Sequence, residues 1–256
     1  MAKIIIIGGG AAGMAAAVFL GEQNHQVHLF EKNEKLGKKL FITGKGRCNI
    51  TNSCDEETFF QSVVSNPKFL YSAFYGYTNR DVIAFFESLG LAVKEERGGR
   101  IFPVSDHSSD VIKVLEQRMK ALDVKIHLKS RVEKVLTENS LEGEEKIRGV
   151  LLENGAEILA DRVIIATGGC SYQATGSTGD GYTFARETNH KVTELRPALV
   201  PIETKEEYVK DMQGLALKNV RFTVKDGKKV LYDDFGELLF THFGISGPLV
   251  LTASSR

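Results

Sequence analysis

Two groups of residues in this chain have types and spacings that could do chemistry. The first is Gly8-x-Gly10-x-x-Gly13, followed by Glu31 eighteen residues past Gly13. Glycines at those intervals let a turn close tightly, let the backbone approach a pyrophosphate and let a helix lie close to a sheet. An acid at that distance can accept hydrogen bonds from ribose hydroxyls. The second group is the stretch TGKGRCNITN, residues 43–52, which combines glycines, cations, a thiol and asparagines. Those types suit an anion-binding loop, a metal site, a nucleic-acid contact or a plain turn. Cys48 beside Arg47 has the neighbour of a low-pKa nucleophile. With no C-x-x-C partner, a small packing residue is the preferred reading.

The elements that must position these residues are legible around them. Lys3–Ile7 is a β-branched run of the kind buried on both faces of a sheet. It meets the glycines and then a helix-forming stretch from 11 to about 23, before a second strand at Gln26–Phe30 that ends on Glu31. With strand, turn, helix, strand and acid all present, dinucleotide binding is the expected function of this part. After Glu31 the chain runs through Gly37 into the cationic stretch rather than directly into a helix. An acid followed by such a glycine and a cationic loop is common in FAD enzymes of the glutathione-reductase type, which favours FAD.

Further along, residues 55–89 read as helices with Phe59, Phe60, Phe69, Leu70, Phe74, Phe85 and Phe86 turned inward as ordinary core. Residues 97–103 read as a turn entering a short edge strand. Ser105 reads as the cap of a helix reaching about Leu122. Strands are expected at 124–128 and 131–136, then a hairpin of 146–152 with 157–159 turning at Asn154-Gly155. A parallel-type strand then runs into Ala166-Thr167-Gly168, and residues 176–182 open a helix to about 189. From 191 the pattern shifts to short strands at 220–224, 229–232 and 238–240. The expected division is a domain of residues 1–190, with a helical excursion over about 53–122, and the beginning of a β-rich domain over 191–256.

Composition narrows the function. Lysines plus arginines equal aspartates plus glutamates at 33 each, so no global field recruits nucleic acid or anionic lipid. Three cysteines without a paired spacing argue against a disulfide framework or structural zinc and for a reducing, cytoplasmic setting. No charge interrupts residues 4–20, but four glycines do, so a strand, turn and helix explain the run better than a leader or membrane segment. The six histidines are scattered, which argues against a metal site, and no G-x-S-x-G elbow marks a hydrolase. No second G-x-G-x-x-G follows a strand, so NADH or NADPH is expected at most as a transient reductant.

Four stretches carry a family resemblance: GKKLFITGKGRCNITN, GGRIFPVSDHSSDV, IIATGGCSYQATGSTGDGY and LFTHFGISGP. In this order they resemble the bacterial BaiN/RdsA-like (YhiN-type) FAD-dependent oxidoreductases, which include aminoacetone-oxidase-like members, and the resemblance covers essentially the whole chain. It implies an α/β, Rossmann-like FAD domain with a helical excursion and an inserted β-rich domain. The implied cofactor set is Gly8, Gly10, Ala12, Gly13, Glu31, Lys32, Lys39, Gly46, Arg47, Cys48, Asn49, Val132, Ala166, Thr167 and Gly168. Arg47 would offset charge on reduced flavin or hold an acidic substrate group, Asn49 would hydrogen-bond the ring or ribityl chain, and Lys39 and Lys45 would meet phosphates. Arg100 and His242, in motif positions, become substrate-side candidates, with Tyr172 weaker.

The implied reaction is hydride transfer between flavin and a small molecule bearing a C=C, carbonyl or amine. Two alternatives are a flavin-dependent RNA uridine reductase using the Lys32–Arg47 patch, and a non-catalytic dinucleotide-binding fragment. The latter follows because family members continue for more than a hundred residues past the position of Arg256, so the β-rich domain is expected to be incomplete.

Overall fold

The computed structural model describes residues 1–139 and 145–256. The chain divides into two compact units, residues 1–56 with 70–192 and residues 57–69 with 193–256.

The first unit is built on a four-stranded parallel sheet in the order Arg162–Ile165, Lys3–Ile7, Gln26–Phe30, Lys125–His127. Lys3–Ile7 is central because its isoleucines face both ways. Ile6 joins Met14, Val18, Leu29, Leu115 and Met119 on one side, whereas Ile5 and Ile7 join Phe30, Val135, Val150 and Phe184 on the other. Each such buried side chain contributes roughly 1.5–3 kcal/mol. The first side is covered by the helices Ala11–Glu22 and Ser108–Ala121, whose buried positions fall at helical spacing (Met14, Val18; Val111, Leu115, Met119). The second side is covered by an antiparallel sheet of Val132–Asn139, Glu145–Leu152 and Glu157–Leu159. That hairpin turns where Asn154-Gly155 was expected to turn it, with Gly155 at φ +83°.

A small sheet of Thr51–Asn52, Arg100–Pro103 and Val93–Glu96 differs from expectation. Arg100–Pro103 is its middle strand and not an edge, because Thr51–Asn52 returns to pair with Ile101 and Arg100. Ser105 is not the helix cap either. Asp106 takes φ +58° in a turn closed onto the Pro103 carbonyl, so the helix cannot begin before Ser108, with His107 as its cap. Residues 55–89 are helical in pieces, and Phe74 is buried, but Phe69 is 78% exposed and does not serve as core.

The second unit holds an antiparallel sheet in the order Ile202–Glu203, Gly244–Ser246, Lys229–Thr241, Ala216–Asp226. The two short strands expected at 229–232 and 238–240 are one continuous strand. Its polar middle is held by partners on Ala216–Asp226, where Arg221 and Thr223 both bond Asp233. Gly236 sits under Leu249 of the helix Pro248–Ala253, with a Cβ there only 3.3 Å from the leucine side chain. Among the described residues no helix is long and apolar enough to cross a membrane.

Candidate functional site

The strands Lys3–Ile7, Gln26–Phe30 and Arg162–Ile165 end in register, with Ile7 opposite both Phe30 and Ile165. The chain leaves Lys3–Ile7 for one neighbour, and the other neighbour arrives from far along the sequence. This is the switch point at which open parallel sheets leave a crevice. A cavity of about 490 Å³ opens there.

Its floor is the glycine turn. The Gly8 N–H donates to the Phe30 carbonyl at 2.8 Å, and Gly8 takes φ +109°, a conformation that side chains resist. A Cβ on Gly8 would lie 2.5 Å from the Ala166 carbonyl oxygen, and one on Gly13 only 1.9 Å from the Gly8 oxygen. Around Gly10, by contrast, a Cβ would meet nothing within 4 Å, because its neighbour is the cavity. Gly10 caps the helix Ala11–Glu22, which has no capping side chain and no acid in its first turn. Its first turn therefore offers no acid of its own to the free N–H groups and the positive dipole end.

Glu31 stands on the cavity wall although only 7% exposed. Its Oε2 accepts the Gly9 N–H at 2.7 Å, and its Oε1 accepts the backbone and side-chain N–H groups of Asn33 at 2.8 and 2.7 Å. Opposite, Lys32 Nζ donates to Thr178 Oγ1 at 2.6 Å and to Asp180 Oδ2 at 2.8 Å, and Lys39 Nζ donates to the Ser171 carbonyl at 2.7 Å. Burial pushes the Asp180 carboxyl up, but the bonds from Lys32 and Thr178 and the Lys32 and Arg131 charges outweigh it and hold the group below its ordinary value.

Of the residues singled out in the sequence, Gly8, Gly10, Ala12, Glu31, Lys32, Lys39, Val132, Ala166, Thr167 and Gly168 all line this cavity. Gly13 lies beneath the turn and acts through close packing. Gly46, Arg47, Cys48 and Asn49 are not among the lining residues, although Leu40 and Thr43 just before them are. The loop is held by left-handed turns at Gly44, Lys45, Gly46 and Cys48. Cys48 packs with Leu91 and Val111, and burial pushes its thiol up despite a hydrogen bond with Thr43, the opposite of an activated nucleophile. The Asn49 amide faces the Thr51 and Ile101 carbonyls, and with its nitrogen turned towards them it donates to both, at 2.9 and 3.2 Å.

Arg47 bonds Glu96 and, through Nε at 2.8 Å, Asp106, with its guanidinium 4.3 Å from the Phe102 ring centre. Lys94 donates to the other Asp106 oxygen at 2.6 Å. Arg100 is exposed and donates to the Arg97 carbonyl, Tyr172 is exposed, and His242 lies at a turn of the second unit with its ring edge-on to Phe243. Asn33, Lys38, Ser130, Arg131, Thr175, Ser177 and Asp180 line the cavity without having been singled out as binding residues. For the last two the signal was present in the glycine-rich helix opening at 176–182. Among the described residues, no cluster of histidine, cysteine and acid side chains could hold a metal.

The Arg47 cluster makes a pH prediction. The Arg47 hydrogen bond holds Glu96 below its ordinary 4.5, and Lys94 and then Arg47 hold Asp106 below its ordinary 3.8. Carboxyls depressed in the folded state add stability above their unfolded values, which is lost as pH falls through the folded ones. Arg47→Met is expected to remove most of the Glu96 share and leave the Lys94 share of Asp106. Denaturant melts between pH 6 and pH 3 should therefore show a shallower acid limb in the variant, and parallel curves would refute this.

Residues 2–247 match the family described as the HI0933-like protein Rossmann domain. The chain belongs to the HI0933-like family. This HI0933-like chain is 35% identical over 249 residues to a 3-dehydro-bile acid delta(4,6)-reductase of Clostridium scindens, covering 96% of the chain and 58% of the reductase. It is 34% identical over 253 residues to a ribosomal RNA dihydrouridine synthase of Haemophilus influenzae, covering 98% of the chain and 60% of the synthase. The resemblance drawn on the four motifs is thereby shown, and the chain spans about three fifths of the length of these relatives. A solved flavocytochrome c3 fumarate reductase superposes with a TM-score of 0.53 at 18% identity, over 85% of this chain and 47% of that one. It shares the fold of this HI0933-like chain.

Proposed function

We propose that this chain is the FAD-binding part of an oxidoreductase that reduces a small unsaturated molecule. The observation that carries the reading is the cavity at the strand ends, where the helix start without a capping side chain, the open space over Gly10 and the buried Glu31 carboxylate converge. These groups fit a dinucleotide. The Gly8–Gly10 turn and the helix N–H groups suit a pyrophosphate, and Glu31 suits ribose hydroxyls. Bound FAD would supply two-electron chemistry, and the chain's part is to hold, orient and shield it.

The relatives' names support a reduction, of a bile acid in one case and to dihydrouridine in ribosomal RNA in the other. A small-molecule substrate is favoured here because four of the cations in or near the site are bonded within the chain: Lys32 to Asp180, Lys38 to Glu34, Lys39 to Ser171 and Arg47 to Glu96 and Asp106. The test is a titration of the purified chain with FAD and with NAD, read by flavin absorbance and fluorescence, followed by anaerobic reduction with NADH or NADPH. Stoichiometric FAD uptake is expected. Uptake of NAD instead, or of neither, would overturn the reading, and tight RNA binding that weakens steeply with salt would move the substrate to RNA.

A further inference from the structure

We infer that Asn33 is a positioning residue that fixes the rotamer of Glu31 and thereby sets how the site recognises a ribose, an inference that rests on the dinucleotide reading above. An ionised carboxylate offers about four acceptor sites. Three of those on Glu31 are taken, two on Oε1 by Asn33 and one on Oε2 by Gly9, so a donor entering the cavity finds its acceptor on Oε2. The Asn33 amide is itself held from several sides. Its second N–H donates to the Thr175 carbonyl at 3.2 Å, its Oδ1 accepts Lys38 Nζ at 3.2 Å, and its backbone carbonyl accepts the Lys129 N–H at 2.9 Å. Gly176 closes the remaining side, because a Cβ there would stand 2.5 Å from Asn33 Nδ2. The Glu31 backbone is equally fixed, donating to the His127 carbonyl and accepting from Ser130 N–H, both at 2.9 Å. The free torsions therefore belong to the Glu31 side chain, and Asn33 supplies two of the three bonds that remove them.

The test compares ADP and 2′-deoxy-ADP as competitors of FAD, so that recognition of the hydroxyl is read separately from overall affinity. The wild-type chain should prefer ADP by about tenfold, a factor worth about 1.4 kcal/mol. In Asn33→Ala the side-chain bond to Oε1 is lost and only the backbone N–H groups of Gly9 and residue 33 hold the carboxylate, so the preference should fall severalfold. Asn33→Asp keeps size and turn preference but sets a like charge beside Glu31, which raises the affinity of the pair for one proton. FAD binding by this variant should be weak at pH 8 and recover as pH falls towards 5, when the new carboxyl can donate to Oε1 as the amide does. A residue that merely orders the turn would give neither the lost preference nor the recovery. Wild-type preference retained in Asn33→Ala, or no acid recovery in Asn33→Asp, overturns the inference while the dinucleotide reading stands. A wild-type chain that binds neither FAD nor ADP overturns both.

Discussion

Gly10→Ala and Gly13→Ala are expected to separate cofactor binding from folding, although the two glycines stand in one motif three residues apart. At Gly13 the added Cβ would lie 1.9 Å from the Gly8 carbonyl oxygen, a backbone atom that cannot swing aside. Gly8 is itself trapped at φ +109° against Ala166, so the helix Ala11–Glu22 must move off the sheet. Overpacking of this kind costs about 1–3 kcal/mol and at times more, which exceeds the ~1 kcal/mol that alanine gains over glycine within a helix. Denaturant melts of Gly13→Ala without ligand should show that loss directly. At Gly10 the same methyl meets no protein atom within 4 Å and the backbone stands at φ −81°, which any residue adopts. Alanine is a poorer helix cap than glycine by a fraction of a kcal/mol, so stability should change by less than about 1 kcal/mol. The methyl instead occupies space that a pyrophosphate needs, and FAD affinity should fall roughly 100-fold, about 2.8 kcal/mol. An unchanged FAD affinity in Gly10→Ala would show that the space over Gly10 is not where the ligand approaches.

This contrast also marks what the sequence could show. The strand Lys3–Ile7, its glycine turn, the helix and Gln26–Phe30 were legible because their determinants are local: an unbroken isoleucine run, glycines at a turn, a short return strand. Glu31 was legible because it directly ends that second strand. Lys32, Lys39, Val132 and Ala166-Thr167-Gly168 were reached through the family resemblance, but the contacts that assemble the remaining wall were not legible. Thr175 comes against Asn33, and Asp180 against Lys32, across 142 and 148 residues, and no periodicity records such meetings. The same applies to Arg47, whose type and neighbours suggest a ligand contact but whose partners Glu96 and Asp106 lie 49 and 59 residues away. Arg100–Pro103 was read as an edge for a related reason. Its second neighbour is two residues long, Thr51–Asn52, too short for a strand pattern to show. The gap left between the expected strands 229–232 and 238–240 closes for the same reason: Arg221 and Thr223 meet Asp233 from the neighbouring strand.

Replacing Glu31 should cost both folding and binding, and the two losses can be read in one titration. Glu31→Gln preserves the shape but supplies a donor where the carboxylate only accepts. Three N–H groups point at this side chain, from Gly9 and twice from Asn33, so at least one of them must face an N–H. A buried donor left unsatisfied costs about 1–3 kcal/mol, and that is the expected fall in stability without ligand. Loss of the ribose acceptor should weaken FAD binding about 100-fold. Ligand linkage then amplifies the difference. At a free FAD concentration 100 times the wild-type Kd the wild-type chain is stabilised by about 2.7 kcal/mol, whereas a 100-fold weaker variant at the same concentration has its Kd equal to that concentration and gains only about 0.4 kcal/mol. The gap between wild type and Glu31→Gln should therefore widen by about 2.3 kcal/mol when FAD is added. A gap that stays constant with FAD would mean that Glu31 supports the turn alone and takes no part in holding the dinucleotide.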